Sequence, residues 1–128
     1  MGYSLGSRSK KRLEGVHPDL VRVVERAIEL TEVDFTVLEG MRTVARQKKL
    51  VAKGASTTMN SRHLTGHAVD IGAWVGGTVR WDWPLYYKLA EAMKQAAKEL
   101  NVDLEWGGDW KSFKDGPHFE LSWAAYPA

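Results

Sequence analysis

The chain of 128 residues contains no cysteine. Disulfide frameworks, thiolate metal sites and cysteine nucleophiles are therefore excluded, and the candidate metal ligands reduce to four histidines and the carboxylates. The absence does not identify a compartment, because a protein without disulfides can function in either redox environment.

Long apolar runs are also missing. The basic stretch 1–12 is not followed by an apolar segment, so we expect no signal peptide, no membrane insertion and synthesis in the cytoplasm. The net charge of +2 is far from the dense positive charge of a dedicated nucleic-acid-binding protein. The sequence therefore predicts neither a nucleic acid nor a membrane as partner.

The length corresponds to one domain, over residues 1–128, that can bury enough surface to fold without a structural metal. A bound metal would then serve chemistry. No repeat and no Pro-, Gly- or Ser-rich linker divides the chain. Residues 1–15 are expected to form a partly ordered basic segment, with Lys10 to Arg12 as a solvated tail.

Hydrophobic periodicity predicts helices alternating irregularly with short strands. The helices are expected at about 18–31, 43–53 and 84–100, and the strands at about 33–38, 68–73, 103–106 and 117–121. This order indicates an α+β fold, a small antiparallel sheet with helices packed on it. Apolar side chains on the last helix and four of the tryptophans are expected to pack in the interior; they are Leu85, Leu89, Met93, Ala96, Trp74, Trp81, Trp83 and Trp123.

The segment Ser61-Arg-His-Leu-Thr-Gly-His-Ala-Val-Asp70 and the distant Asp115-Gly-Pro-His118 hold the candidate metal ligands. Two imidazoles and a carboxylate, from His63, Asp70 and His118, can occupy three of the four tetrahedral positions around zinc and leave the fourth for water. Gly66 lets the chain turn between the first two ligands.

His67 is a rival ligand because it lies four residues after His63, the spacing of helical zinc sites. However, the intervening Leu-Thr-Gly is a poor helix interior and lacks the glutamate of such sites. In a strand over 68–71, Asp70 and His67 point to opposite faces. We therefore expect His67 to point away from the metal.

A metal-dependent hydrolase also needs a base, and two carboxylates are candidates. Asp115 can be carried into the site by the Gly116-Pro117 turn, whereas Glu120 shares a strand face with His118. Arg42, just beyond a predicted strand end, can supply positive charge for a substrate carboxylate or a developing oxyanion.

These residues resemble the M15 peptidases, the D-alanyl-D-alanine carboxypeptidase and phage endolysin group that shares its fold with the hedgehog signalling domain. The family pattern Ser-x-His-x-x-Gly-x-Ala-x-Asp, followed by an acidic residue three positions before a histidine, is matched from Ser61 to Asp70 and again at Asp115 and His118. The segment Gly40-Met-Arg42 with the downstream Gln47 is similar to the family's Gly-x-Arg segment.

The resemblance implies one zinc ion per chain, held by His63, Asp70 and His118, with Asp115 as the base and Arg42 as the electrophilic partner. Trp106-Gly-Gly-Asp-Trp110 before Asp115 is similar to the phage L-alanyl-D-glutamate endopeptidases. The expected function is therefore cleavage of peptidoglycan stem peptides during phage-induced lysis. The enzyme would be a monomer that reaches the wall through holes made by a holin.

Two alternatives to this function stay open. The first is a D,D- or L,D-carboxypeptidase that removes terminal D-alanine at the same metal site. The second is a non-catalytic, zinc-stabilised binding module, because a fold does not dictate a function. Supporting or substrate-binding roles are expected for Ser61, Gln47, Trp106 and Trp110.

Overall fold

The computed structural model describes residues 2–56, 59, 61–112 and 114–127. Within them the chain forms four α-helices and five β-strands. The helices are α1 (Ser7–Arg12), α2 (Pro18–Leu30), α3 (Val44–Ala52) and α4 (Trp83–Leu100). The strands are β1 (Phe35–Glu39), β2 (Ala68–Val75), β3 (Thr78–Arg80), β4 (Leu104–Trp106) and β5 (His118–Leu121). Short 3-10 turns lie at Arg62–Thr65 and Gly107–Asp109.

The strands form one antiparallel sheet in the order β1-β2-β5-β4, with β3 paired to β2. Helices with one apolar face pack on this sheet, as the periodicity of the sequence predicts. The predicted α+β class is therefore confirmed. None of the helices in the described ranges is both long and apolar enough to cross a membrane.

Helices α2 and α4 supply most of the helical side of the core. Helix α2 starts at Pro18, and the His17 side chain caps it by accepting a hydrogen bond from the Asp19 amide at 3.0 Å. Helix α4 ends where Asn101 adopts the left-handed conformation. Their apolar faces meet the sheet in one cluster that includes Leu20, Val23, Val24, Leu89, Met93 and Ala96, all fully buried.

The alternation of side chains along β2 places the candidate site on the opposite side of the sheet from this core. Val69 and Ile71 belong to the buried apolar cluster. Asp70, between them, must point to the other face because successive strand residues alternate. Strand β2 thus contributes to both the core and the candidate site. The packing of Val69 and Ile71 in the core therefore sets the position of Asp70.

The N-terminal segment is more ordered than the sequence predicts. Residues 7–12 form α1, although Lys10, Lys11 and Arg12 are exposed as expected. The Ser9 hydroxyl accepts a hydrogen bond from the Val37 amide at 3.0 Å, and the Arg12 guanidinium donates to the Val37 carbonyl at 3.0 Å. Strand β1 is an edge strand, so α1 satisfies polar backbone groups that the sheet leaves open. Lys10 to Arg12 are therefore solvent-exposed as expected, but they belong to a helix and not to an irregular tail.

A glycine allows the loop that carries His63 to approach the start of α2. Gly66 has a φ of +76° and ends the Arg62–Thr65 turn. A Cβ atom on this residue would lie 2.3 Å from the Gly15 carbonyl oxygen, and the Gly66 carbonyl accepts from the His17 amide at 2.8 Å. Only glycine satisfies both the backbone conformation and this close approach.

The expectation that four tryptophans pack inside the protein is wrong. Trp74, Trp81, Trp83 and Trp123 are 41%, 61%, 41% and 45% exposed, respectively. The predicted apolar stripe of α4 is buried at Leu89, Met93 and Ala96, while Leu85 is partly buried against the core. Hydrophobic periodicity therefore predicted which residues of α4 are buried. The hydrophobic character of the large aromatic rings did not predict that they are exposed.

Candidate active site

Two of the predicted ligands are brought together by strand register. Asp70 on β2 and His118 on β5 are direct cross-strand partners, so their side chains share one face of the sheet. The His118 Nδ1 atom lies 3.2 Å from the Asp70 Oδ1 atom. On its other side, His118 Nε2 lies 2.7 Å from the Glu120 Oε1 atom. Because a carboxylate only accepts, His118 carries a proton on Nε2 and directs Nδ1 toward Asp70.

The third predicted ligand comes from the turn between α3 and β2. The Ser61 side chain caps this turn by accepting from the His63 amide at 3.2 Å. The His63 Nδ1 atom lies 2.8 Å from the Gly40 carbonyl oxygen, which requires a proton on Nδ1. The Nε2 lone pair is therefore directed into the site, 3.3 Å from the Asp70 Oδ1 atom.

The residues present fit a divalent cation. The His63 Nε2 atom is buried and makes no hydrogen bond with any described residue. Its lone pair and the Asp70 carboxylate are both electron-rich, so their proximity is unfavourable unless a cation lies between them. One ligand atom from each of His63, Asp70 and His118 lies within 4.8 Å of the others. We conclude that these three side chains can hold a metal ion.

Electrostatic coupling within the trio keeps the carboxylate charged. Burial favours the neutral acid, but the contacts that favour the charged form, of which the hydrogen bond with His118 is the strongest, outweigh it and lower the pKa of Asp70 well below 3.8. Burial also disfavours the charged form of His118, yet its bonds to Asp70 and Glu120 raise the pKa of His118 to about 9. The hydrogen bonds of His118 with Asp70 and Glu120 thus favour a positive charge on His118 beside the ionised Asp70 carboxylate.

A cavity of about 560 Å³ opens over the three candidate ligands. Asp115 and Glu120 both line it. Burial, followed by the negative charge of Asp70, raises the pKa of Asp115, which is the direction expected of a group that exchanges protons near neutral pH. Glu120 is instead bonded to His118. The two candidate bases therefore differ: Glu120 accepts a hydrogen bond from His118, whereas Asp115 is a cavity-lining carboxyl group of raised pKa.

Arg42 lies beside Asp70 and is held by several side chains. Its guanidinium donates to Glu39 and, at 2.7 Å, to Gln47, and one nitrogen lies 3.8 Å from the Asp70 Oδ2 atom. Its side chain is 8% exposed and lines the cavity. Gln47 is fully buried and donates to Ser56 at 2.9 Å. The predicted pair of Arg42 and Gln47 is thus in contact at the site.

The tryptophans near the Gly107-Gly108 turn have different positions. Trp110 lines the cavity, with its ring centroid 5.1 Å from that of His118. Trp106 is 4% exposed and stacks on Phe119. Of the two roles expected for Trp106, substrate binding or support, its burial does not fit the first. Its indole N–H donates to the Gly116 carbonyl at 2.7 Å, so it supports the turn between Asp115 and His118.

His67 points away from the candidate ligands, as the strand periodicity predicts. Its Nδ1 atom lies 2.6 Å from the Thr65 hydroxyl, and its ring is 5.5 Å from that of His17. Burial and the nearby Arg62 charge lower the pKa of His67. This histidine thus belongs to a separate cluster at the start of α2.

Three contributors to the site are not evident from sequence motifs. The Gly40 carbonyl selects the His63 tautomer, and Glu39 pairs with Arg42. Arg62 is buried and donates to the carbonyls of Leu121, Ser122 and Tyr126, which tie the His63 turn to the C-terminal segment. The register Glu39↔Asp70 in addition places the end of β1, and with it the partner of Arg42, beside a predicted ligand.

Comparison with known proteins shows that this chain is similar to peptidases of bacteriophages. The family model described as Phage L-alanyl-D-glutamate peptidase matches residues 1–122. The chain is 36% identical over 130 residues to the L-alanyl-D-glutamate peptidase of Escherichia phage T5, covering 98% of this chain and 94% of that protein. It is 37% identical over 98 residues to the L-alanyl-D-glutamate peptidase of Listeria phage A118, covering 77% of this chain and 34% of that longer protein.

Two solved structures have the same fold. The Serratia marcescens L-Ala D-Glu endopeptidase ChiX superposes with a TM-score of 0.93 and 50% identity, covering 99% of this chain and 96% of that chain. The vancomycin-resistance D,D-dipeptidase VanXYg superposes with a TM-score of 0.55 and 17% identity, covering 83% and 50% of the two chains. The second likeness shows a shared fold alone.

Proposed function

Because the chain belongs to the phage L-alanyl-D-glutamate peptidase family, we propose that it hydrolyses the L-alanyl-D-glutamate bond of peptidoglycan stem peptides. One observation carries the chemical part of this proposal. The buried His63 Nε2 lone pair faces the Asp70 carboxylate in a cavity that also contains Asp115. A metal-dependent hydrolase needs a cation site and a nearby base, and a carboxylate of raised pKa beside the cation site can be that base.

Zinc is the metal that we assign to His63, Asp70 and His118. Imidazole and carboxylate ligands suit zinc, and about 2.0–2.1 Å bonds in a tetrahedron place ligand atoms roughly 3.3–3.4 Å apart. The Asp70 Oδ1 atom lies 3.3 Å from His63 Nε2 and 3.2 Å from His118 Nδ1. Bound zinc supplies Lewis acidity, which makes a water more acidic and polarises the scissile carbonyl.

Asp115 is the residue that we propose as general base. Its carboxylate takes a proton from the attacking water and returns it to the amine of the departing D-glutamate. Its raised pKa favours this exchange, because a stronger base accepts the proton more readily. Arg42, with its permanent charge beside Asp70, favours negative charge on the carbonyl oxygen.

Glu120 fits a supporting role better than that of the base. Its carboxylate accepts the His118 Nε2 proton at 2.7 Å and is 8% exposed as a residue. A carboxylate in this position orients the imidazole and increases its basicity as a ligand. Ser61 supports His63 differently, because its hydroxyl accepts from the His63 backbone amide at 3.2 Å and so caps the turn that carries the ligand.

The proposal is tested by digesting purified peptidoglycan and identifying the products by mass spectrometry. We expect stems released with an N-terminal D-glutamate, no activity after chelation, and recovery when one equivalent of zinc is restored. Release of free D-alanine would instead identify a carboxypeptidase. Zinc binding without any cleavage would indicate a binding module. His67→Ala serves as the control, because it removes a histidine outside the metal site.

The cellular setting stays a prediction. We propose that the enzyme acts as a monomer and reaches the wall after a holin permeabilises the membrane. Sedimentation of the zinc-loaded protein tests the first point. For the second, cells expressing the protein should lyse only when a holin is co-expressed, and lysis without one would contradict the prediction.

A further inference from the structure

A second cavity, of about 200 Å³, lies next to the active-site cavity. Trp81, Trp83 and Tyr86 form one side, and the segment from Lys114 to Pro117 forms the other. Asp115 lines both cavities, so a ligand in the second would lie beside the proposed base. Nothing in the proposed cleavage chemistry uses this second cavity.

The aromatic side of the cavity is exposed yet firmly held. Trp81 is 61% exposed, and its ring lies parallel to that of Tyr86, with centroids 6.2 Å apart. The Tyr86 hydroxyl donates to the Arg80 carbonyl at 2.7 Å and accepts from the Ala73 amide at 3.1 Å. The Trp81 ring therefore lies on a support anchored to the sheet, which lowers the entropic cost of binding a ligand.

Trp83 connects this aromatic surface to the catalytic turn. It is 41% exposed and packs edge-on against Trp106, at 6.4 Å between centroids. A Cβ atom on Gly116 would lie 3.4 Å from the Trp83 ring. The exposed ring thus lies against the residue that directly follows Asp115, the residue that lines both cavities.

We propose that this second cavity binds the muramyl sugar of the peptidoglycan strand, a proposal that rests on the function assigned above. In peptidoglycan the amine of the stem L-alanine is acylated by the lactyl group of that sugar. One extended residue spans at most about 3.6 Å, so the sugar must lie close to the scissile bond. A binding site for it can therefore occur only beside the catalytic residues, as this cavity does.

The side chains that line the two cavities suit different parts of the substrate. The stem peptide carries carboxylates, which match the positive charge of Arg42 in the larger cavity. One face of a pyranose consists of C–H groups with partial positive charge, which match the negative faces of Trp81 and Trp83. The second cavity, at about 200 Å³, is smaller than the first, at about 560 Å³, so we assign to it the single sugar ring and to the larger cavity the stem peptide.

Paired substrates test this proposal. We would measure kcat/KM on a muramyl tripeptide and on the same tripeptide with an acetyl group in place of the sugar. Trp81→Ala should lower kcat/KM on the muramyl substrate roughly three- to tenfold and leave the acetylated substrate unaffected. Trp83→Phe, which retains a ring, should preserve most of the preference. Trp74→Ala is the matched control, because Trp74 is 41% exposed and lines neither cavity.

The acetylated substrate also reports on folding, since a misfolded variant loses activity on both substrates. Equal rates of the wild-type protein on the two substrates, or equal losses in Trp81→Ala, would overturn the sugar site. Calorimetric titration with N-acetylmuramic acid provides a measurement independent of cleavage. If N-acetylmuramic acid binds the wild-type protein and not Trp81→Ala, the sugar site is supported even if no stem is cut. If stems are cut but N-acetylmuramic acid does not bind, the sugar site is contradicted and the proposed function is not.

Discussion

Replacing Asp115 by asparagine should abolish turnover while zinc remains bound. The amide is nearly isosteric, so the turn held by the Gly107 carbonyl at 3.1 Å from the Asp115 amide is preserved. Asparagine cannot accept a proton from water at neutral pH. Loss of a general base costs about 10²–10⁴-fold in rate. This range corresponds to a barrier increase of about 2.7–5.5 kcal/mol.

Glu120→Gln should have the opposite effect: it should weaken zinc binding and leave kcat at saturating zinc nearly unchanged. The amide oxygen can still accept the His118 Nε2 proton, now without the charge that strengthens the 2.7 Å bond. Removing such a supporting contact typically weakens metal affinity about 10- to 100-fold, or about 1.4–2.7 kcal/mol. At saturating zinc, kcat should therefore remain within about tenfold of the wild-type value.

The assay is kcat on a defined muramyl tripeptide over a zinc titration, with bound zinc measured separately by elemental analysis. Asp109→Asn is the matched control, because Asp109 is an exposed carboxylate paired with Lys94 and lies outside the cavity. Our assignment is refuted if Asp115→Asn keeps more than a tenth of kcat. It is also refuted if Glu120→Gln is inactive at saturating zinc, since Glu120 would then be the base.

Three further variants test the positions of other residues. Gly107→Ala should lower kcat roughly hundredfold, because its Cβ would lie 2.4 Å from the Asp115 carbonyl oxygen and displace the base by about 1 Å; wild-type kcat would contradict this. His67→Ala should retain its zinc and keep kcat within about twofold, and zinc loss would make His67 a ligand. The Tyr126 hydroxyl donates to Asp19 at 2.8 Å, lowers the pKa of Asp19 and has its own pKa raised. This bond stabilises the fold above the ordinary carboxyl pKa of 3.8 and below the ordinary phenol pKa of 10.0. Tyr126→Phe should therefore lower the Tm at pH 7, with a difference that shrinks as the pH falls below 3.8; a constant difference in thermal melts would contradict the linkage.

The placement of Asp70 and His67 on opposite faces could be predicted from the sequence because it depends on a local rule. Period-two alternation places Asp70 opposite the buried Val69 and separates it from His67, and the structure has the same arrangement. The periodic apolar face of α4 likewise predicts the burial of Leu89 and Met93. In both cases the information lies within a few consecutive residues.

Other features depend on contacts between distant segments. Helix α1 has six residues, too few to be stable alone, and it is held by contacts of Ser9 and Arg12 with the edge strand β1. The contact of Arg42 with Asp70 required knowledge that β1 and β2 are adjacent in the sheet. Sequence periodicity cannot supply either fact, because neither follows from spacing along the chain.

By itself, the sequence determined which side chains are available for chemistry and how neighbouring ones are separated onto opposite faces. The tertiary structure alone decided the protonation of the two imidazoles, through the Gly40 carbonyl and Glu120. It also decided that Trp81 and Trp83 remain at the surface beside Asp115. The physical reason is that tautomers and exposure depend on which atoms lie within a few ångströms, and those atoms come from segments far apart in the chain.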